Sequence, residues 1–221
     1  MDNVAIVDYG SGNLFSLARA FEAVGASVNL TCDKDEIQAA SRVVLPGVGA
    51  FGHAVQSLRK MGLFGTVRRF AESGGKFLGI CVGMQMMMEF SREFGENQGL
   101  GLVCGQVDII PSTGTDGSPH PVPHIGWSAL GAPAGHWKGT LLEGVDIGQE
   151  MYFLHSYSAQ PKNSADVLAT TFYNGREIVA AIQLRNMTGV QFHPEKSGIY
   201  GLAILSNFLK GPSHQAYRSG R

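Results

Sequence analysis

The sequence predicts an α/β protein: a mainly parallel central sheet with helices on both faces, and a smaller antiparallel part in the second half. Three observations predict it. Short apolar runs alternate with helix-forming stretches through the first ninety or so residues, the alternation that builds parallel sheets. The second half turns to runs rich in β-branched and aromatic residues, with Asn174-Gly175 as a two-residue hairpin signal. Between them, Cys81 stands where a strand pattern meets a helix pattern, with Gly79 and Gly83 two residues to either side.

Val4 to Val7 is a continuous apolar run of the kind buried in parallel sheets. A helix follows from Leu14 to Val24, with Asn13 as its expected cap and Gly25 as its stop. Gly10 and Gly12 after a strand invite a dinucleotide reading, but Phe15 stands where the third glycine would fall. Ser27–Leu30 and Arg42–Leu45 are the next strands, with an Asp33-capped turn of helix through Ala40 between them. Helices are expected near Ala54–Met61 and Leu63–Glu72, then a strand over Phe77–Ile80 and a helix over Val82–Phe90. Later strands fall at Gln106–Ile110, Met151–Leu154, Val167–Phe172, Ile178–Leu184 and Gly189–Phe192, and a last helix spans Gly198–Leu209. Residues 1–210 read as one domain and 211–221 as a polar tail.

Composition narrows the function classes. The chain has 221 residues, 44% hydrophobic and 16% charged, with a net charge of −1. That balance gives no argument for nucleic acid or an anionic membrane surface, and no apolar run approaches the ~18 residues of a spanning helix. Three cysteines without paired spacing fit a reducing, cytoplasmic setting rather than a disulfide framework. Cys32 and Cys104 read as structural. His120 and His124 share a Pro-rich loop, but no cysteine pair or carboxylate stands near enough in sequence to complete a metal site. No metal or cofactor is expected.

The chemistry concentrates at Gly79-Ile-Cys81-Val-Gly83, the cysteine form of a nucleophile elbow. Small flanking residues permit a sharp turn that lifts the side chain above the sheet edge, and a following helix would favour a thiolate and offer N–H groups to an oxyanion. A cysteine nucleophile needs a base, and the base an orienting group. His193-Pro-Glu195, directly after a strand, supplies both. A buried, inert cysteine and an ordinary surface turn are the alternatives.

Gly-Ile-Cys-Val-Gly-Met-Gln, followed by Gln-Phe-His-Pro-Glu and preceded by Pro46-Gly-Val-Gly49, resembles the class I glutamine amidotransferases, which implies a flavodoxin-like fold. The segments Asp8–Ser16, Pro46–Gly52, His124–Trp127 and Tyr152–Tyr157 narrow the resemblance to the glutaminase subunits of the imidazole glycerol phosphate synthases, over residues ~4–209. It implies that Cys81, His193 and Glu195 form a triad, and that Gly47, Val48, Gly49 and Val82 stabilise an oxyanion. It further implies that Gln85, Glu93, Ser156 and Tyr157 bind glutamine. A (β/α)₈-barrel cyclase would be the partner, forming a heterodimer through Trp127, Tyr152 and Lys196, whose plain alternatives are core packing for the aromatics and a solvated charge for the lysine. Rival readings are a stand-alone cysteine hydrolase, a silent interaction subunit, and a glutaminase for another synthase. Gly47 and Gly49 are expected to use backbone angles closed to other residues, so that the Gly47–Val48 peptide could turn an N–H toward or away from the oxyanion.

Overall fold

A computed structural model describes residues 3–210; the tail expected at 211–221 lies outside the described residues. The first half runs β1 (Asn3–Val7), α1 (Leu14–Ala23), β2 (Ser27–Thr31), α2 (Lys34–Ala39), β3 (Arg42–Leu45), α3 (Phe51–Lys60), α4 (Phe64–Glu72), β4 (Lys76–Ile80) and α5 (Val82–Gln85). The second half runs β5 (Met88–Ser91), β6 (Asn97–Gln98), β7 (Val103–Ile109), β8 (His124–Ala129), β9 (Glu150–His155), β10 (Tyr157–Pro161), β11 (Val167–Tyr173), β12 (Arg176–Leu184), β13 (Met187–Val190) and α6 (Gly198–Leu209).

The central sheet has the order β11-β12-β13-β4-β3-β1-β2. β1, β2, β3, β4 and β13 are parallel, while β12 and β11 add on antiparallel. This is the predicted fold class, and its physical basis is visible in burial. Val4–Val7, Val43–Leu45 and Phe77–Ile80 are all buried, as strands covered by helices on both faces must be. Asn174 and Gly175 join β11 to β12 with φ of 45° and 77°, the doubly positive geometry of a two-residue hairpin turn.

Three local expectations are corrected. Asn13 precedes α1 but makes no side-chain cap, whereas Asp33 caps α2 by accepting from the Asp35 and Glu36 amides. The helix expected through Phe90 stops at Gln85. Met86, Met87 and Met88 are all fully buried, which a surface helix with one apolar stripe cannot achieve. The chain instead turns and enters β5, which pairs with β6 and β7. Cys32 and Cys104, read as structural, are both exposed free thiols.

Two smaller sheets cover the carboxyl ends of the parallel strands. One has the order β10-β7-β5-β6; the other is the β8–β9 ribbon. Among the described residues no helix is long and apolar enough to cross a membrane.

Candidate active site

The elbow is built by steric exclusion. Cys81 follows β4 and opens α5 with φ 54° and ψ −113°, strained values for a residue with a side chain. A Cβ on Gly83 would lie 1.8 Å from the Leu45 carbonyl oxygen, and one on Gly79 would lie 2.7 Å from that of Gly83. Neither position has room for anything but glycine. The sheet fixes the turn from below: the Cys81 amide donates to the Val190 carbonyl at 2.8 Å. The thiol is 3% exposed, with the Leu154 carbonyl 3.8 Å from Sγ and Gln191 Nε2 at 3.6 Å.

His193 reaches the same place from β13. Its amide donates to the Tyr152 carbonyl at 2.9 Å. Pro194 then opens a single 3₁₀ turn, Pro194–Lys196, which folds Glu195 back under the imidazole. Nδ1 and Glu195 Oε1 are 2.9 Å apart, with both side chains at most 5% exposed. Nε2 makes no hydrogen bond of ordinary geometry, and the Cys81 side chain acts on the ring together with Glu195. Burial by itself would lower the affinity of His193 for a proton. The raising influence of Cys81 and Glu195 outweighs it and holds the ring up at about 10, because opposite charges in a dry site favour the ionised form.

A cavity of about 310 Å³ opens above these groups, lined by Cys81, His193, Val82, Gln85, Glu93, Val48, Gly49, Ser156 and Tyr157 among others. So the sequence-predicted residues converge on it, with two exceptions: Glu195 lies behind His193 rather than on the cavity wall, and Gly47 does not line it either. A Cβ there would meet Tyr9 Oη at 2.8 Å and Gly83 N at 2.9 Å, and Gly47 is absent from the positive-φ residues. Lack of space, not backbone angle, demands glycine at 47. Gly49 does have positive φ, at 83°, with open space around it. The expectation of unusual backbone angles therefore holds for Gly49 alone.

Glu93 sits just beyond β5 and is 9% exposed. Its Oε2 accepts from the Phe51 amide at 2.6 Å, capping α3 with a charge, and burial raises its proton affinity against that bond. Gln85 Nε2 donates to the Tyr157 carbonyl at 2.9 Å and to Gln191 Oε1 at 3.0 Å. Sequence reasoning missed Gln191 and His155. Gln191 is fully buried between Gln85 and Cys81, and its one sequence signal was its place two residues before His193, on the same side of an extended chain. A larger cavity, about 670 Å³, lies at the amino ends of β4 and β13 among Lys76, Asn186 and Asn207; it holds none of the expected residues.

Trp127 and Tyr152 do not pack in the core as their plain alternative required. Trp127 is 53% exposed, and the pair meet edge to face across the ribbon at 5.9 Å. Lys196 Nζ lies 5.5 Å from the Tyr152 ring. The half-buried Tyr152 thus lies between the exposed Trp127 and the exposed Lys196, which directly follows Glu195. Among the described residues no group of three or more His, Cys, Asp or Glu side chains could hold a metal ion.

The fold and this site together are those of an α/β enzyme that works from a strand-to-helix elbow. The chain belongs to the glutamine amidotransferase class-I family, whose pattern matches residues 5–211. It is 48% identical to the imidazole glycerol phosphate synthase subunit HisH 1 of Legionella pneumophila (strain Lens), covering 95% of this chain and 100% of that one. It is 43% identical to the subunit HisH of Moorella thermoacetica, covering 94% of each. Among solved structures, PurLQS from Thermotoga maritima is similar at a TM-score of 0.70 and 18% identity, covering 94% of this chain and 97% of that one. That last likeness is one of fold.

Proposed function

We propose that the chain is the glutamine-hydrolysing subunit of an imidazole glycerol phosphate synthase in histidine biosynthesis. Cys81 attacks the side-chain amide carbon of glutamine. His193 gives its proton to the departing ammonia, leaving a glutamyl thioester on Cys81. Water, deprotonated by His193, then hydrolyses the thioester to glutamate and restores the thiol. Glu195 orients His193 and stabilises its charged form. Backbone N–H groups of Val82, Val48 and Gly49 face the oxyanion, while Gln85, Glu93, Ser156 and Tyr157 hold the amino-acid end. No cofactor enters. The single observation that carries this reading is the convergence of Cys81 and His193 on one cavity of about 310 Å³, with Glu195 2.9 Å from His193 behind the wall.

Ammonia is diffusible and mostly protonated at neutral pH, so a glutaminase that feeds a synthesis must deliver it to a docked acceptor. The proposed acceptor is a (β/α)₈-barrel cyclase subunit that makes imidazole glycerol phosphate and aminoimidazole carboxamide ribonucleotide, bound as a heterodimer. Trp127, Tyr152 and Lys196 form its docking face, extended by exposed Ile125 on the ribbon and by Phe15 and Ile199 beside Glu195. Exposed aromatics of this kind anchor interfaces. The same reading makes the protein cytoplasmic, in keeping with three unpaired cysteines.

The test is labelling with a glutamine-derived electrophile. It should modify buried Cys81 and be blocked by glutamine, leaving the exposed Cys32 and Cys104 untouched. Labelling of the exposed thiols alone would refute the reading.

A further inference from the structure

Two histidines beside the pocket take no part in the steps above. His155 ends β9 and lines the cavity; His124 begins β8 directly opposite it. Both are buried. Their hydrogen bonds run in one direction, and the direction can be deduced. His155 Nδ1 lies 2.8 Å from the Tyr157 carbonyl oxygen, which can only accept, so Nδ1 carries the hydrogen. In a neutral ring Nε2 is then an acceptor. His124 Nδ1 lies 3.2 Å from that Nε2, so His124 donates through Nδ1 and accepts at Nε2. Ser128 Oγ, 2.8 Å from His124 Nε2, supplies the last hydrogen. The Tyr157 carbonyl at the end of this chain is the one that also accepts from Gln85 Nε2.

We infer that His155 and His124 are positioning residues for the glutamine pocket, fixing the Tyr157 carbonyl through a one-way hydrogen-bond chain that starts at Ser128 on the ribbon. The inference rests on the glutaminase reading. β9 carries the two ends of the connection. Its inward side presents His155. Its outward side presents Tyr152 against Trp127, on the proposed docking face. The β9 backbone also touches the chemistry directly, through the Leu154 carbonyl at Cys81 and the Tyr152 carbonyl at His193. A shift of the ribbon on docking therefore reaches the pocket by both routes.

The rings are held in the neutral form that the chain needs. Burial lowers His155 to about 3 and His124 to about 4. The ionisable groups acting on them are His124 and His193 on His155, and His120 on His124, while Phe153 and Tyr173 stack on His124 at 5.1 and 4.2 Å. Like charges nearby and apolar faces both oppose protonation.

Long-range ¹H–¹⁵N NMR of the full chain reads the tautomers directly. Both histidines should carry hydrogen on Nδ1 and stay neutral from about pH 5.5 to 8. Hydrogen on Nε2 of either ring, or titration of either near the ordinary histidine value, overturns the inference. Kinetics of the complex with the cyclase give the second readout. His155→Phe keeps a ring but loses the donor, and should raise KM for glutamine about tenfold with kcat changed less than about threefold. His155→Asn, whose amide nitrogen can replace Nδ1, should recover most of that loss; Ser128→Ala should show a smaller KM effect if the Phe variant does not fold. A fall in kcat at unchanged KM, or an Asn variant no better than Phe, contradicts the proposal. A wild-type complex that releases no ammonia from glutamine would refute the glutaminase reading instead, and the tautomer spectrum would still decide the hydrogen-bond chain.

Discussion

The parallel sheet and the β8–β9 ribbon treat their side chains in opposite ways. In the sheet, β1, β3 and β4 are buried on both faces, and their carboxyl ends hold Cys81 in a turn that no larger neighbours would permit. The ribbon is two-faced. His124, Phe153 and His155 point inward, while Ile125, Trp127 and Leu154 on the alternate positions are exposed. Rigidity at the nucleophile comes from the first region; contact with a partner, and a path from that contact to the pocket, come from the second.

The largest expected effects strike the sheet side. His193→Ala should reduce glutamine hydrolysis by at least about a thousandfold, while Glu195→Gln should leave partial activity, a loss of about ten- to a hundredfold, because an orienting group contributes less than nucleophile or base. Steady-state ammonia release measures both. A Glu195→Gln variant as inactive as His193→Ala would overturn the ranking. Gly83→Ala comes next. It forces a Cβ against the Leu45 carbonyl and should cost about 3 kcal/mol or more in a denaturant titration. A near-neutral result would mean that the elbow can relax, and the contrast between the regions would weaken.

The ribbon should respond through assembly. Trp127→Ala should weaken cyclase binding by about 2 kcal/mol or more, measured by calorimetry, with the chain's own stability changed by less than about 0.5 kcal/mol, since the side chain is half exposed. Loss of folding instead would return Trp127 to the core.

The smallest effect is in acid. His155 is neutral when folded and protonates readily only when unfolded, so the unfolded chain takes up more protons below about 6.5. Its contribution to stability is complete above that value and is lost as pH falls toward about 3. The stability gap between wild type and His155→Phe should therefore narrow by about 1.4 kcal/mol between about pH 6 and pH 5. A gap independent of pH would show that His155 is not buried as a neutral ring.

This division also explains what was legible in the sequence. Buried parallel strands are continuous apolar runs, so β1, β3 and β4 could be read directly, and Gly79-x-Cys81-x-Gly83 with His193-Pro-Glu195 carried the site. α5 is shorter than the sequence predicts because good helix formers after the elbow yield to tertiary burial, which encloses three successive methionines and draws Phe90 and Ser91 into a second sheet. β8 gives no hydrophobic alternation in sequence because its inward positions hold His124, Gly126 and Ser128, polar or small residues. Gln191 and His155 escaped notice for a related reason. Their roles depend on Gln85 and His124, partners 106 and 31 residues away in the chain, and only the fold brings these together.

The central claim is that Cys81 opens the glutamine amide and that ammonia passes to a separate acceptor. The direct test is the Cys81→Ala chain in complex with the cyclase, assayed with glutamine and, separately, with ammonium salt. The account predicts no synthesis from glutamine and near wild-type synthesis from ammonium. Equal loss of both would show that Cys81 serves folding or assembly, and retained use of glutamine would remove it from the chemistry.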